Sequence, residues 1–184
     1  MCLKDIVNIK SGIFAQTGHD PVVYYFQGSD FYQTGGWKGI LSPVLDTAEN
    51  LKKHLLAKGD VLFLSKGRDF FAVKYDGKYS PAVASSAFLV LKVSGGILPD
   101  FLVWFLNHPK TNSLLNQLSS GSALPMLSKS ALGEIEIPLL SLEDQQKIIT
   151  IDELKKREEA LQQKIQTLKN NYFNELTYTI LQKN

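Results

Sequence analysis

The stretch that decides the fold is GSALPMLS at residues 121–128, followed by IEIP at 135–138 and LLSLEDQQKI at 139–148. The first segment predicts a glycine loop, and the second predicts a short strand that ends at a proline. The third predicts the start of a helix, because a serine followed by two acidic residues is typical of a capped N-terminus. The pattern of the sequence therefore changes near residue 141, where the predicted helix begins.

After residue 141 the sequence predicts one long helix. No glycine or proline follows up to residue 184, so nothing in the sequence ends the helix. Apolar residues recur at steps of three or four, the spacing of a coiled-coil seam, although Glu158 occupies one core position. About forty residues at 1.5 Å each give a helix of roughly 60 Å. We predict a dimer interface on this seam, formed by Ile151, Leu154, Leu161, Ile165, Leu168, Tyr172 and Leu176.

The seam predicts a partner helix on physical grounds alone. An isolated helix would leave these side chains in water, whereas burying each leucine or isoleucine is worth roughly 1.5–3 kcal/mol. The alternative is a kinked helix that folds back on the rest of the chain. No glycine or proline marks such a kink, which counts against it.

The sequence before residue 141 predicts an α+β domain. Runs rich in β-branched and aromatic residues predict strands at 22–26, 60–64, 70–75 and 87–93. One helix is predicted from a cap at Asp46 or Thr47 to about residue 56, and another at 99–106 with a continuation at 110–118. We expect a compact domain at 1–140 with a curved or barrel-like sheet and short helices, and one long coiled-coil helix at 141–184.

The composition favours a folded protein without a membrane span. Of the 184 residues, 44% are hydrophobic and 21% are charged, which is ordinary for globular proteins. No apolar run reaches the roughly 18 residues that a membrane helix needs, and the first residues lack a signal-peptide core. The single cysteine, Cys2, can neither form an internal disulfide nor complete a zinc motif. A cytoplasmic location is therefore expected.

Residues for catalysis or metal binding do not form a recognisable motif. His19, His54 and His108 lack the spacing of metal ligands, and no phosphate-binding glycine motif occurs. Glu134 and Glu136 lie two apart on a predicted strand, which leaves a metal-dependent nuclease as an alternative. No third ligand or lysine completes that site. We expect no catalytic residue, no metal and no cofactor.

Six segments, in this order, resemble the specificity subunit of type I restriction-modification systems. They lie at 3–12, 58–67, 84–91, 99–106, 121–128 and 135–139. Asp144-Gln145 stands where the family usually has Glu-Gln, which keeps a carboxylate in the first helical turn. The chain looks like one target-recognition domain with one conserved-region helix.

The resemblance implies a sequence-specific DNA-binding subunit that is not itself an enzyme. In the family, separate methyltransferase (modification) and restriction subunits carry out the chemistry, so a methyl donor would bind a partner subunit. Family members usually have two recognition domains and two helices, whereas this chain has one of each. It looks like a half-subunit that pairs through its helix with a second copy or another half-subunit. Two identical domains would read an inverted-repeat, bipartite site in double-stranded DNA.

Three loops carry the candidate DNA contacts, because the family's recognition domains reach the bases with loops. Lysine and arginine suit phosphates and guanine edges, glutamine suits adenine, and small hydroxyls suit phosphates. The candidates are Tyr32, Gln33, Trp37 and Lys38 in the first loop, Lys66 and Arg68 in the second, and Ser122 with nearby Lys129 in the third.

Other interpretations of these residues stay open. Tyr32 and Trp37 also fit core or lid aromatics, and Ser122 also fits a residue that shapes its turn. Residues 50–80 carry seven basic side chains against three aspartates, an excess that attracts a polyanion or forms a solvated surface. Arg68 is the strongest candidate, since an arginine on a tight loop has few structural uses. The alternative function is a coiled-coil assembly adaptor or regulator that retains the fold without DNA recognition.

Overall fold

The computed structural model describes residues 1–32, 36–46, 49–120 and 124–182, without the side chains of Glu49 and Asn50. The chain divides into two compact units, Met1–Gln145 and Gln146–Asn184. Strands and short helices make up the first unit, and one helix makes up the second. This is the α+β architecture with a long C-terminal helix that the sequence predicts.

Six strands occur in the described chain, and they form two sheets. They are β1 (Val7–Ser11), β2 (Tyr24–Phe26), β3 (Val61–Leu64), β4 (Phe71–Lys74), β5 (Ala82–Ala84) and β6 (Phe88–Val93). The central sheet is antiparallel, in the order β1-β6-β3-β4, and β2 pairs separately with β5 in parallel. Because β1 and β4 are its two edges, the central sheet is open, and the barrel-like alternative is wrong for the part of the chain described.

The strand β3 is one of the two internal strands of the central sheet, and all four of its residues are buried. Successive side chains of a strand point to opposite faces, so burial of every residue requires cover on both faces. Leu62 and Leu64 pack into a cluster with Phe71, Phe88 and aromatic residues of the first loop. On the other face, the ring of Phe63 stacks on Phe70 at 6.0 Å between centroids. Burial on both faces explains why all four residues of β3 are apolar.

Most sequence-predicted strands are confirmed, and one is wrong. The strands predicted at 60–64, 70–75 and 87–93 correspond to β3, β4 and β6, while the run at 22–26 is shortened to β2. The segment 135–138 forms no strand among the described residues, since its pairing is a single bridge between Cys2 and Glu136. β1 ends at Ser11, and a Cβ added to the following Gly12 would collide with the carbonyl oxygen of Ser85.

Most helices of the described chain begin at a proline or directly after a capping residue. They are α1 (Glu49–Lys52), α2 (Pro99–Asn107), α3 (Pro109–Leu118), α4 (Lys129–Gly133) and α5 (Leu142–Gln182). His108 separates α2 from α3, because Pro109 disfavours a helical conformation in the residue before it. The first predicted helix is much shorter than expected. The Asp46 carboxylate accepts hydrogen bonds from the backbone N–H groups of His19 and Asp20 instead, and Thr47 lies outside the described residues.

The predicted long helix is confirmed as α5, whose 41 residues extend over about 60 Å at 1.5 Å per residue. Ser141 caps it, since the backbone N–H of Asp144 donates to Ser141 Oγ at 3.1 Å. Lys156 and Asp152 form an i,i+4 ion pair of 2.6 Å on its surface. The seven seam residues are 45% to 68% exposed in the single chain. None of the helices in the described ranges is both long and apolar enough to cross a membrane.

Candidate nucleic-acid interface

The second candidate loop is the turn of the β3–β4 hairpin, here called the basic hairpin (residues 65–70). Its base is fixed by Ser65, whose backbone N–H and hydroxyl both donate to the carbonyl oxygen of Ala87, at 2.9 and 3.1 Å. Gly67 has a φ of +140°, a backbone conformation that favours glycine. The side chains of Lys66 and Arg68 are exposed on either side of Gly67. The fold therefore presents two cations on a short, well-anchored turn.

The segment 125–127, which follows the third candidate loop (residues 119–122), lies directly against the basic hairpin. The backbone N–H of Leu127 donates to the oxygen of Ser65 at 2.9 Å, and that of Gly67 donates to the oxygen of Pro125 at 3.0 Å. Met126 also exchanges backbone hydrogen bonds with Ser120, at 2.8 and 3.0 Å. The segment 125–127 thus lies between two other parts of the chain. Ser122, the candidate contact of this loop, lies outside the described residues.

The first candidate loop also approaches the end of β3. A Cβ built on Gly28 would lie 3.1 Å from Leu64 Cδ1, and one built on Gly67 would lie 3.9 Å from Leu64 Cδ2. Leu64 therefore separates the start of the first loop from the basic hairpin. The structure brings parts of all three sequence-predicted loops to one end of β3, a proximity that their separation in sequence does not reveal.

Within the first loop, Trp37 and Tyr32 have different environments. Trp37 is half-buried, and its ring packs against Phe26, Phe31 and Tyr79, while its Nε1–H donates to the oxygen of Gly39. This is the core-aromatic interpretation of Trp37. Tyr32 is 55% exposed. Gln33 lies outside the part of the chain that the structure describes.

Lys38 lies beside Tyr32. Its Nζ is 5.8 Å from the centroid of the Tyr32 ring and donates to the backbone oxygen of Ser29 at 3.0 Å. A cation over an aromatic ring is a weak attraction at an exposed site. These two exposed residues are therefore arranged as a pair, with a flat ring and a positive charge facing the solvent.

Two charged side chains of residues 50–80, the basic Lys74 and the acidic Asp60, form ion pairs within the fold, but the cations of the basic hairpin do not. Lys74 pairs with Asp100 at 2.5 Å, and Asp60 pairs with Lys92 at 2.8 Å. Within the described ranges, neither Lys66 nor Arg68 forms an ion pair. Their charge is thus available to an anionic ligand.

Lys129 lies in a different setting, at the first residue of α4. It lines a cleft of about 740 Å³ together with Lys4, Asn8 and Glu134. Lys4 Nζ donates to Glu134 Oε1 at 2.6 Å. This hydrogen bond, and then the opposite charge, lowers the pKa of Glu134 and raises the pKa of Lys4. The cleft therefore contains an internal ion pair beside Lys129.

The paired glutamates do not form the arrangement that a nuclease would need. Glu134 follows the last residue of α4 and is paired with Lys4, while Glu136 lies in the bridge to Cys2. The expectation that both lie on one strand is wrong. The described ranges contain no group of three or more His, Cys, Asp or Glu residues that could hold a metal ion.

Gln145 has a structural role that the sequence did not reveal. Its side chain is 2% exposed, and its Nε2 donates to the oxygens of Gly96 and Leu140 at 2.9 and 3.0 Å. Its Oε1 accepts from the backbone N–H of Leu98 at 2.8 Å. One amide thus joins the first turn of α5 to the segment before α2. The only signal in the sequence is its place in the Asp144-Gln145 pair.

Comparison with protein families gives a match over most of the chain. The model described as the type I restriction modification DNA specificity domain matches residues 1–170. The MjaIX specificity subunit of a type I restriction enzyme from Methanocaldococcus jannaschii is 31% identical over 129 residues, which are 65% of this chain and 29% of that protein.

Solved structures with the same fold include two subunits of this kind. The S subunit of a type I restriction-modification system from M. genitalium gives a TM-score of 0.59 at 16% identity, over 88% of this chain and 40% of that one. The HsdS subunit from Thermoanaerobacter tengcongensis gives 0.53 at 16% identity, over 89% and 38%. The chain spans about three tenths of the curated relative and about two fifths of the solved subunits.

Proposed function

Because the chain belongs to the family of type I restriction-modification DNA specificity domains, we propose that it is a non-catalytic module that binds double-stranded DNA at a chosen sequence. It acts in the cytoplasm and directs separate modification and restriction subunits to that sequence, so methylation and cleavage take place on its partners. Residues 1–140 recognise the DNA, and residues 141–184 pair with another helix.

The observation that supports DNA binding most strongly is the anchored basic hairpin. Arg68 and Lys66 carry no ion pair in the described structure, and two backbone hydrogen bonds join their turn to the segment 125–127. An arginine fork matches the two acceptors of a guanine edge, and a lysine matches a phosphate. An anchored turn loses little conformational freedom when it binds, so more of the contact energy appears as affinity.

The exposed seam of α5 supports pairing through the helix. Leu161, Ile165 and Leu168 are each more than half exposed, and their spacing is that of a coiled coil. A second copy or another half-subunit would bury them and bring a second recognition domain into the assembly. Two identical copies related by a two-fold axis select an inverted repeat with a fixed gap between its halves.

The salt dependence of binding tests whether the basic loops contact phosphates. We expect the full chain to bind a fluorescent duplex, as measured by anisotropy, and log K to fall linearly with log salt concentration, with a slope of about −0.9 per phosphate contacted. The alternative adaptor function predicts no duplex binding at low salt. That outcome, with binding to a methyltransferase subunit retained, would contradict the proposal.

A further inference from the structure

An aromatic cavity of about 270 Å³ lies beside the first candidate loop. Five rings contribute to its lining: Phe26, Phe31, Trp37, Tyr75 and Tyr79. Ligand pockets in proteins commonly measure about 300–1,000 Å³, so this cavity lies near the lower end of that range. Its size suits a ligand of one or two rings.

The rings that line this cavity pack against one another both face to face and edge to face. Trp37 and Tyr79 are stacked, with 5.6 Å between centroids and 25° between planes. Phe26 meets Tyr75 edge-on at 82°. Flat aromatic ligands bind such surfaces by offset stacking and edge-to-face contact. The lining therefore favours a planar ring over a branched aliphatic group.

The two tyrosines of the lining contribute their rings rather than their hydroxyls. The hydroxyl of Tyr75 donates to the backbone oxygen of Tyr79. The hydroxyl of Tyr79 is buried, with less than 1 Å² of accessible surface, and makes no hydrogen bond with any residue in the described ranges. The tyrosines therefore offer a ligand aromatic surface.

The rim of the cavity carries an available positive charge. Lys78 Nζ lies 5.2 Å from the centroid of the Tyr79 ring, and Lys78 forms no ion pair with the described residues. The other lysine of the lining, Lys74, is held by Asp100. Asp76 accepts a hydrogen bond from the backbone N–H of Lys78 at 2.9 Å. A planar ligand with an anionic substituent thus meets a free ammonium group at the rim.

We propose that this cavity binds one nucleobase, with its ring on the aromatic lining and its phosphate near Lys78. Stacking on aromatic side chains is a common way for proteins to hold bases outside a duplex. A free nucleotide and an unpaired base of DNA share this chemistry. Binding of a free nucleotide requires no duplex, so the inference does not depend on the proposed function.

Fluorescence of Trp37 provides the test, because the chain has two tryptophans and Trp104→Phe leaves Trp37 as the only one. We expect deoxynucleoside 5′-monophosphates to quench the emission of this full-length variant saturably, and ribose 5-phosphate, which lacks a base, to have no effect. In a second arm, a duplex with one bulged nucleotide is compared with the same duplex carrying an abasic bulge. Tighter binding of the bulged base identifies DNA as the source, and quenching by monophosphates alone identifies free nucleotides.

Two variants and a matched control separate specific binding from non-specific quenching. Tyr79→Ala removes one ring of the lining and should weaken nucleotide binding about tenfold, whereas Tyr79→Phe keeps the ring and should bind nucleotides as the wild type does. Lys78→Ala should weaken monophosphates more than the corresponding nucleosides. Absence of saturable quenching in both arms, or equal affinity of the Tyr79→Ala variant, would overturn the inference. Loss of duplex binding with nucleotide binding retained would contradict only the proposed function.

Discussion

Arg68 is the residue on which the proposed DNA recognition depends most. The chain has two arginines, Arg68 and Arg157, and Arg157 lies exposed on α5. We predict that Arg68→Ala weakens binding to the preferred duplex by about 1–3 kcal/mol, which is roughly 5- to 150-fold, whereas Arg157→Ala has little effect. Fluorescence anisotropy with the same duplex measures both. Equal affinities of the wild type and Arg68→Ala would show that the basic hairpin does not read DNA.

Gln145 is predicted to matter for stability rather than for recognition. Gln145→Leu removes the partner of three backbone groups in Gly96, Leu98 and Leu140, and we expect it to lower the free energy of unfolding by about 1–3 kcal/mol. The neighbouring Gln146 is exposed, so Gln146→Leu serves as the matched control. Urea denaturation of the two variants gives the comparison. A Gln145 variant as stable as its control would contradict this role.

The roles of some side chains could be predicted from the sequence, and those of others could not. The sequence singled out Arg68 because its chemistry is distinctive on a tight loop, and the structure places it exposed and without an ion pair. Trp37 fitted both a DNA contact and a core aromatic, and only its packing on Phe26, Phe31 and Tyr79 distinguishes its environment. Gln145 was missed because its three partners lie in segments that the folded chain brings together.

At the scale of elements, we predict that the protein self-associates through α5. Leu161→Glu and Leu168→Glu each place a charge on the apolar seam, so we expect either variant to shift the protein from dimer to monomer. Gln163→Glu adds the same charge away from the seam and should leave the dimer intact. Light scattering at several concentrations measures the mass. A wild type that is monomeric at every concentration, or a Leu161 variant that remains dimeric, would contradict self-association through this helix.

These helix variants also distinguish the two candidate functions. If the chain is a coiled-coil adaptor, Leu161→Glu abolishes its activity and substitutions of Lys66 and Arg68 leave it unchanged. If it is a DNA specificity module, both sets of substitutions impair duplex recognition.

Long or strongly patterned elements were predictable, and short irregular ones were not. The apolar runs of β3 and β6 and the seam of α5 follow from local periodicity alone. The segment 135–138 has the composition of a strand, but its single bridge to Cys2 depends on which partner the fold provides. The predicted helix after Asp46 is shortened to α1, and the Asp46 carboxylate bonds to His19 and Asp20. Tertiary hydrogen bonds outweighed local propensity at this position.

At the scale of the whole molecule, the chain combines an α+β unit with a helix whose apolar seam is exposed. The sequence predicted an α+β region followed by one long helix, because the pattern of apolar residues changes near residue 141. The convergence of the three candidate loops at one end of β3 could not be predicted from the sequence, because it depends on the pairing of distant segments such as Gly67 with Pro125. The aromatic cavity was missed for the same reason.

Selection from a pool of randomised duplexes with the full-length chain tests DNA specificity most directly. We predict enrichment of an inverted repeat whose two halves are separated by a fixed gap, because two identical recognition domains related by a two-fold axis read the same half-site twice. Absence of any enriched sequence, with the chain alone and with a methyltransferase partner present, would contradict the account.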